Sequence, residues 1–146
     1  YENPVNSFVA GFIGSPAMNL FEAELTMSGV MPYALLWDGM RISLDKDRFT
    51  RLGSVSSGKV LFGIRPEDIE DADFCLAADE ELSFPATADV VEPMGSETTL
   101  YLTAGDRQVI AKVNPATKAS FGKKLRLQMD RTKIHLFDSA TGASLR

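Results

Sequence analysis

Cysteine and histidine are almost absent: Cys75 and His135 are the only ones in 146 residues. A single thiol closes no internal disulfide, which favours a reducing, cytosolic compartment. One Cys and one His cannot supply the four ligands of a structural zinc site. Positive charge is also scarce, with 15 Lys and Arg against 20 Asp and Glu and a net charge of −5. That is the wrong sign for a surface that follows nucleic-acid phosphates, so no nucleic-acid partner is expected. The local "GKKLR" at 122–126 reads as the solvated face of a strand. No apolar run approaches the roughly 20 residues that cross a bilayer, and nothing resembles a signal peptide.

What remains is an ordinary globular composition, 45% apolar and 24% charged, at a length that suits one domain. The chain opens without Met at "YENPVNSFVAGFIG", and the expectation is a piece of a longer protein.

"GSVSSGKV", 53–60, matches seven of the eight positions of the phosphate loop G-x-x-x-x-G-K-[S/T]. Gly53, Gly58 and Lys59 fit, but Val60 has no hydroxyl to hold Mg²⁺. The flanks are wrong too, because that loop joins a buried strand to a helix N-terminus. Here "LDKDRFTR" is too charged for a buried strand, and "KVLFGIR" is rich in β-formers. A Gly/Ser loop leading into a strand is expected instead.

At the start, Ser7 or Asn6 caps a short helix with Phe8, Val9, Phe12 and Ile13 on one apolar face, stopped by Gly14, Ser15 and Pro16. From Leu20 the period becomes two: Phe21, Ala23, Leu25 and Met27 alternate with Glu22, Glu24 and Thr26. "YALLWDGMRISL" is a hairpin signal with Asp38-Gly39 at its turn. Residues 60–64 read as a central strand, ended by Pro66, and an acidic connector follows. Further strands are predicted over 82–91 (interrupted at Pro85), 98–103, 108–113, 124–130 and 132–137. Short strands at this spacing, with turn signals between them, predict an all-β barrel or pair of barrels with a short N-terminal helical segment.

Catalytic equipment is thin. His135 sits in a strand without a nucleophile motif and reads as structural or solvent-facing, and Cys75 has no basic neighbour to lower its pKa and reads as an inert apolar packer. The pairs Glu67/Asp68, Glu70/Asp71 and Glu80/Glu81 read as solvated charge, and most of the six methionines as core or interface filler. Two stretches remain. "GIRPED", 63–68, puts an Arg and carboxylates around a rigid Pro at a strand end. "VVEPMGSET", 90–98, places Glu92 on the apolar parity of Leu82, Phe84, Ala86, Ala88 and Val90, where a carboxylate needs a partner or a protein surface.

"YENPVNSFVAGFIGSPAMN", "LFGIRPEDI" and "VVEPMGSETTLYL" together resemble, in order and spacing, the C-terminal regulatory region of MalK-type carbohydrate ABC importer ATPases. The resemblance covers essentially the whole chain. It implies an oligonucleotide-binding-type (OB) β-barrel, the TOBE or MOP-like fold, with residues 1–19 as the end of an ATPase domain and its junction and 20–146 as the regulatory domain. It implies no catalysis and no cofactor in this stretch, ATP and Mg²⁺ belonging to the ATPase domain. It further implies a homodimer, contact with membrane permease subunits through the ATPase domain, and a position at the cytoplasmic face of the membrane. In some members this region also receives an inhibitory protein of the sugar phosphotransferase system. By position, Phe12, Ile13, Gly14, Ser15 and Pro16 match the junction; Gly63, Arg65, Pro66 and Glu67 match the second motif; Glu92, Gly95 and Glu97 match the third. Arg65, Glu67 and Glu92, with Gly95 and Glu97, are the expected subunit or regulator contacts. The alternative is a small-ligand or oxyanion sensor, with "GSVSSG" and "MGSETT" supplying backbone N–H and hydroxyl groups.

Overall fold

Strands make up most of the regular structure in the computed structural model, which describes residues 2–12, 16–27 and 31–146. They fall into two compact units: residues 1–64 with 134–146, and residues 65–133.

In the first unit the antiparallel sheet runs in the order β10-β4-β1-β2-β3. Its strands are β1 (Asn19–Thr26), β2 (Tyr33–Leu35), β3 (Arg41–Ser43), β4 (Lys59–Ile64) and β10 (His135–Asp138). The predicted period-two pattern of β1 buries Phe21 and Ala23 opposite Phe62 and Val60 of β4. Asp38 and Gly39 both take positive φ, 52° and 73°, which is what the two-residue turn between right-twisted strands demands. The Met40 N–H closes it on the Trp37 carbonyl at 3.1 Å. β4 is central, as expected, and both of its faces are covered. Phe137, Met18 and Ala10 of the helix α1 (Ser7–Phe12) form a cluster against Leu61 and Leu20. Gly63 belongs to that side: a Cβ there would lie 2.6 Å from Met18 Sδ and 3.3 Å from Phe137 Cε2.

The second unit is an insertion between β4 and β10, strands that pair with each other through His135↔Gly63. It holds β5 (Ile69–Asp71), β6 (Ser83–Pro93), β7 (Thr98–Ala104), β8 (Arg107–Val113) and β9 (Lys124–Met129), in the antiparallel order β5-β9-β6-β7-β8. The sheet curls until its edge strands β5 and β8 meet, giving the expected OB-like barrel. Phe84, Ala86, Leu100, Leu102, Ala111 and Leu127 fill its interior. No ladder joins β5 to β8, so side chains close the seam. Glu70 Oε1 accepts the Asn114 N–H at 2.8 Å. Asp71, 6% exposed, accepts the Thr117 hydroxyl at 2.7 Å and the Asp73 N–H at 3.0 Å.

Several expectations need correction. Asn6 is the cap of α1, accepting the Val9 N–H at 2.9 Å, but Phe8 on its supposed packing face is 70% exposed. Too short to carry a full apolar stripe, the helix packs through Ala10. β6 runs unbroken through Pro85, because there it pairs with β9 alone, and proline is tolerated where one side of a strand is open. β5 lies inside the supposed acidic connector, and Glu70 and Asp71 are seam residues rather than solvated charge. The last strand begins at His135, since Arg131–Lys133 form a single tight turn. Finally, a bulge between Ala88 and Val90 reverses the parity of β6. Val90 is thereby 48% exposed, and Glu92 faces out instead of occupying an apolar position.

The seam carries a prediction. Asp71→Ala removes a buried acceptor and leaves two half-buried hydrogen bonds unmade, and is expected to lower the unfolding free energy by about 1 kcal/mol. Asp71→Asn, which keeps an acceptor, should lose less; urea denaturation of both variants measures the difference.

Candidate functional site

The "RPED" stretch becomes one tight turn at the entrance to β5. Pro66 stands at its first position, where a missing N–H costs nothing. The Asp68 N–H closes the turn on the Arg65 carbonyl at 3.0 Å, and the Asp68 carbonyl accepts the Asp130 N–H at 2.9 Å, tying it to the end of β9. Arg65 is 3% exposed, whereas Glu67 is at the surface.

Beside this turn opens a cleft of about 510 Å³ whose lining includes Glu67, Asp68, Cys75, Leu76, Met129 and Asp130. Leu76 is fully exposed at its mouth. Arg131 bridges Asp79 and Glu81, each at 3.0 Å. Burial pushes the Asp68 carboxyl up to about 6; Glu67 and Asp130 add to the shift, against Lys133 and Arg65. Burial likewise raises the Cys75 thiol, helped by Glu70 and Asp71, so it stays protonated at neutral pH and is a poor nucleophile. Among the described residues no three His, Cys, Asp or Glu side chains are grouped to hold a metal ion. The cleft therefore offers negative charge and an apolar wall.

The third motif lies elsewhere in the same unit, at the end of the β6–β7 hairpin. Gly95, with φ 92°, allows the turn in which the Met94 N–H reaches the Glu97 carbonyl at 2.8 Å. Glu97 pairs with Lys112 at 3.9 Å. Glu92 accepts a hydrogen bond from the Tyr101 hydroxyl, which raises that phenol's pKa. Thus Glu92, Gly95 and Glu97 are brought together, while Arg65 and Glu67 sit at the β5 turn. Of the junction residues, Phe12 ends α1 and Pro16 is half-buried; Ile13, Gly14 and Ser15 lie outside the described residues.

The phosphate-loop lookalike resolves as expected. Lys59 opens β4 rather than a helix, and the Gly58 carbonyl accepts the Leu25 N–H at 2.8 Å. His135 is 7% exposed and stacks on Phe137 with ring centroids 6.4 Å apart, a packing role. Met27, Met31 and Met94 are exposed rather than core. The raised Asp68 was missed from sequence; its only signal there was the crowding of carboxylates in "RPEDIED".

Comparison with known proteins adds to this geometry. The family model for the MalK OB fold domain matches residues 14–69, and that for the TOBE domain matches residues 62–137. The trehalose/maltose import ATP-binding protein MalK of Thermococcus litoralis is 35% identical over 99% of this chain and 39% of its own length. The alpha-glucoside transport ATP-binding protein AglK of Rhizobium meliloti is 38% identical over 100% of the chain and 38% of its own. The multiple sugar-binding transport ATP-binding protein MsmK of Streptococcus mutans is 35% identical, with the same two coverages. The chain thus spans about two fifths of the length of these relatives. A solved structure of the cytoplasmic molybdate-binding protein ModG, with molybdate bound, superposes with a TM-score of 0.58 at 12% identity, covering 81% of this chain and 94% of that one.

The Asp68 environment makes stability depend on pH. Its carboxyl titrates at about 6 when folded, above the ordinary aspartate value of 3.8, so the folded chain holds the extra proton between those values. The stability this contributes is complete below about pH 4 and is lost as pH rises through 6. Because the group is only half-buried, solvent screening trims the effect. Asp68→Asn is expected to stabilise the chain by about 1 kcal/mol at pH 7.5 and by far less at pH 4.5, as read from urea titrations at the two pH values.

Proposed function

Because the chain belongs to the TOBE-domain family, with a MalK-type OB fold domain ahead of the TOBE domain, we propose that it is the non-catalytic regulatory and dimerisation domain of an importer ATP-binding subunit. The solute is a sugar or a related compound such as glycerol 3-phosphate. The observation that carries this is one of proportion. Relatives named as ATP-binding proteins of sugar transport match across all of this chain but over only 38–39% of their own length. On this proposal residues 1–19 are the end of the ATPase domain and its junction. ATP and Mg²⁺ bind in that domain, which also contacts the membrane permease subunits and places the protein at the cytoplasmic face. The exposed carboxylates Glu67 and Glu92, with the turn at Gly95 and Glu97, are the surface offered to a second subunit or to a regulator of the phosphotransferase system.

A second possibility, an oxyanion sensor, is favoured by one observation: the shared fold with a molybdate-binding protein. Against it, Thr98 and Thr99, the hydroxyl residues of "MGSETT" nearest the strand, are 2% and 6% exposed, and the net charge is −5.

The purified chain is expected to hydrolyse no ATP and to show a concentration-dependent rise in mass by sedimentation equilibrium. A monomer at every concentration would remove the dimerisation role. Calorimetric titration with molybdate, phosphate and maltose should be flat, and a saturable signal with molybdate would move the assignment to the oxyanion sensor.

A further inference from the structure

The bulge at Asp89 has a consequence on the outside of the second barrel. Beyond it, Val90 and Glu92 point outward, and the registers extend both into rows that cross three strands. Val90 lies opposite Tyr101, which lies opposite Ile110; Glu92 lies opposite Thr99, which lies opposite Lys112. The first row is apolar, with Val90 48% exposed and Tyr101 and Ile110 half-buried. The second row carries a negative charge over β6, a neutral residue over β7 and a positive charge over β8. Within the chain these charges have surface partners, the Tyr101 hydroxyl for Glu92 and Glu97 for Lys112 at 3.9 Å.

We propose that this face is the contact between two copies of the chain, packed face to face about a twofold axis that runs along β7. The proposal rests on the dimerisation role above and names its surface. Such an axis carries β6 of one copy over β8 of the other and leaves height along the strand unchanged. Tyr101 then meets Tyr101, Val90 meets Ile110 of the second copy, and Glu92 meets Lys112 of the second copy, twice over. A twofold axis across the strands would instead set Glu92 over Val90 and Lys112 over Ile110, burying each charge against an apolar side chain. Complementarity of charge and of apolar surface therefore selects the same axis. Three strands about 4.8 Å apart and two residue rows form a footprint far below the ~800 Å² per partner of a stable complex. Association of the isolated chain is accordingly weak. It strengthens where a longer chain holds two copies together and raises their effective concentration.

The test is a charge swap on the 146-residue chain, read by sedimentation velocity at low salt, with circular dichroism to confirm folding. Glu92→Lys and Lys112→Glu, each alone, put like charges together in both halves of the contact and should weaken self-association about tenfold. An equimolar mixture of the two variants, or the double variant in one chain, restores opposite charges at both positions and should regain wild-type association. That recovery cannot come from a merely structural effect of either substitution. Single variants that associate as well as wild type, or a mixture no better than its components, would overturn this face while leaving dimerisation elsewhere intact. A wild-type chain that stays monomeric would overturn both.

Discussion

Closure of the second barrel rests on two carboxylates at the end of a three-residue strand. β5 and β8 meet without a ladder, so nothing in the backbone fastens that edge. Glu70 and Asp71 substitute for the missing rungs by accepting the Asn114 N–H and the Thr117 hydroxyl. An ionised acceptor makes a stronger bond than a neutral one, and a buried one is costly to leave unpaired. The seam is therefore the place where a barrel of short strands either closes or exposes two edges. The "RPED" turn before β5 and the end of β9 are tied to each other by the β5–β9 ladder and by the Asp130 N–H on the Asp68 carbonyl, and both line the acidic cleft.

The first unit depends on a different constraint. β4 and β10 are distant in sequence yet pair directly, and the whole second unit lies between them. Gly63 stands in β4 opposite His135, where a side chain would collide with Met18 and Phe137. The glycine of the "GIRPED" motif is thus a packing requirement, while its Glu67 looks outward and its Asp68 is half-buried. One short motif serves two purposes, which is why it is recognisable and why its residues should not all be assigned one role.

Polar residues sort in the same way. Arg65 is inside the protein and Glu67 is outside, although they stand two apart around one proline. Glu92 sits at the surface only because an extra residue in β6 reverses the alternation that would have turned it inward. The proposed self-contact follows from that reversal, since without it Val90 and Glu92 would not share a face with Tyr101 and Ile110.

Much was legible in the order of residues. Alternation in β1 and β9, the Asp38-Gly39 turn, the central β4 and the failure of "GSVSSGKV" as a phosphate loop all follow from local chemistry, because period, turn conformation and loop context are short-range properties. So did the family, from three motifs in order. Other features required the tertiary structure: the strand hidden in "IED", the bulge at Asp89, the seam, and the insertion of one unit between two paired strands of the other. Each depends on partners outside its own segment, and the same carboxylate is solvent-exposed or structural according to whether a donor such as Thr117 arrives opposite it. Sequence by itself determined which strands could form and which chemistry was absent; only the fold decided which charges were used for closure and which were left on the surface.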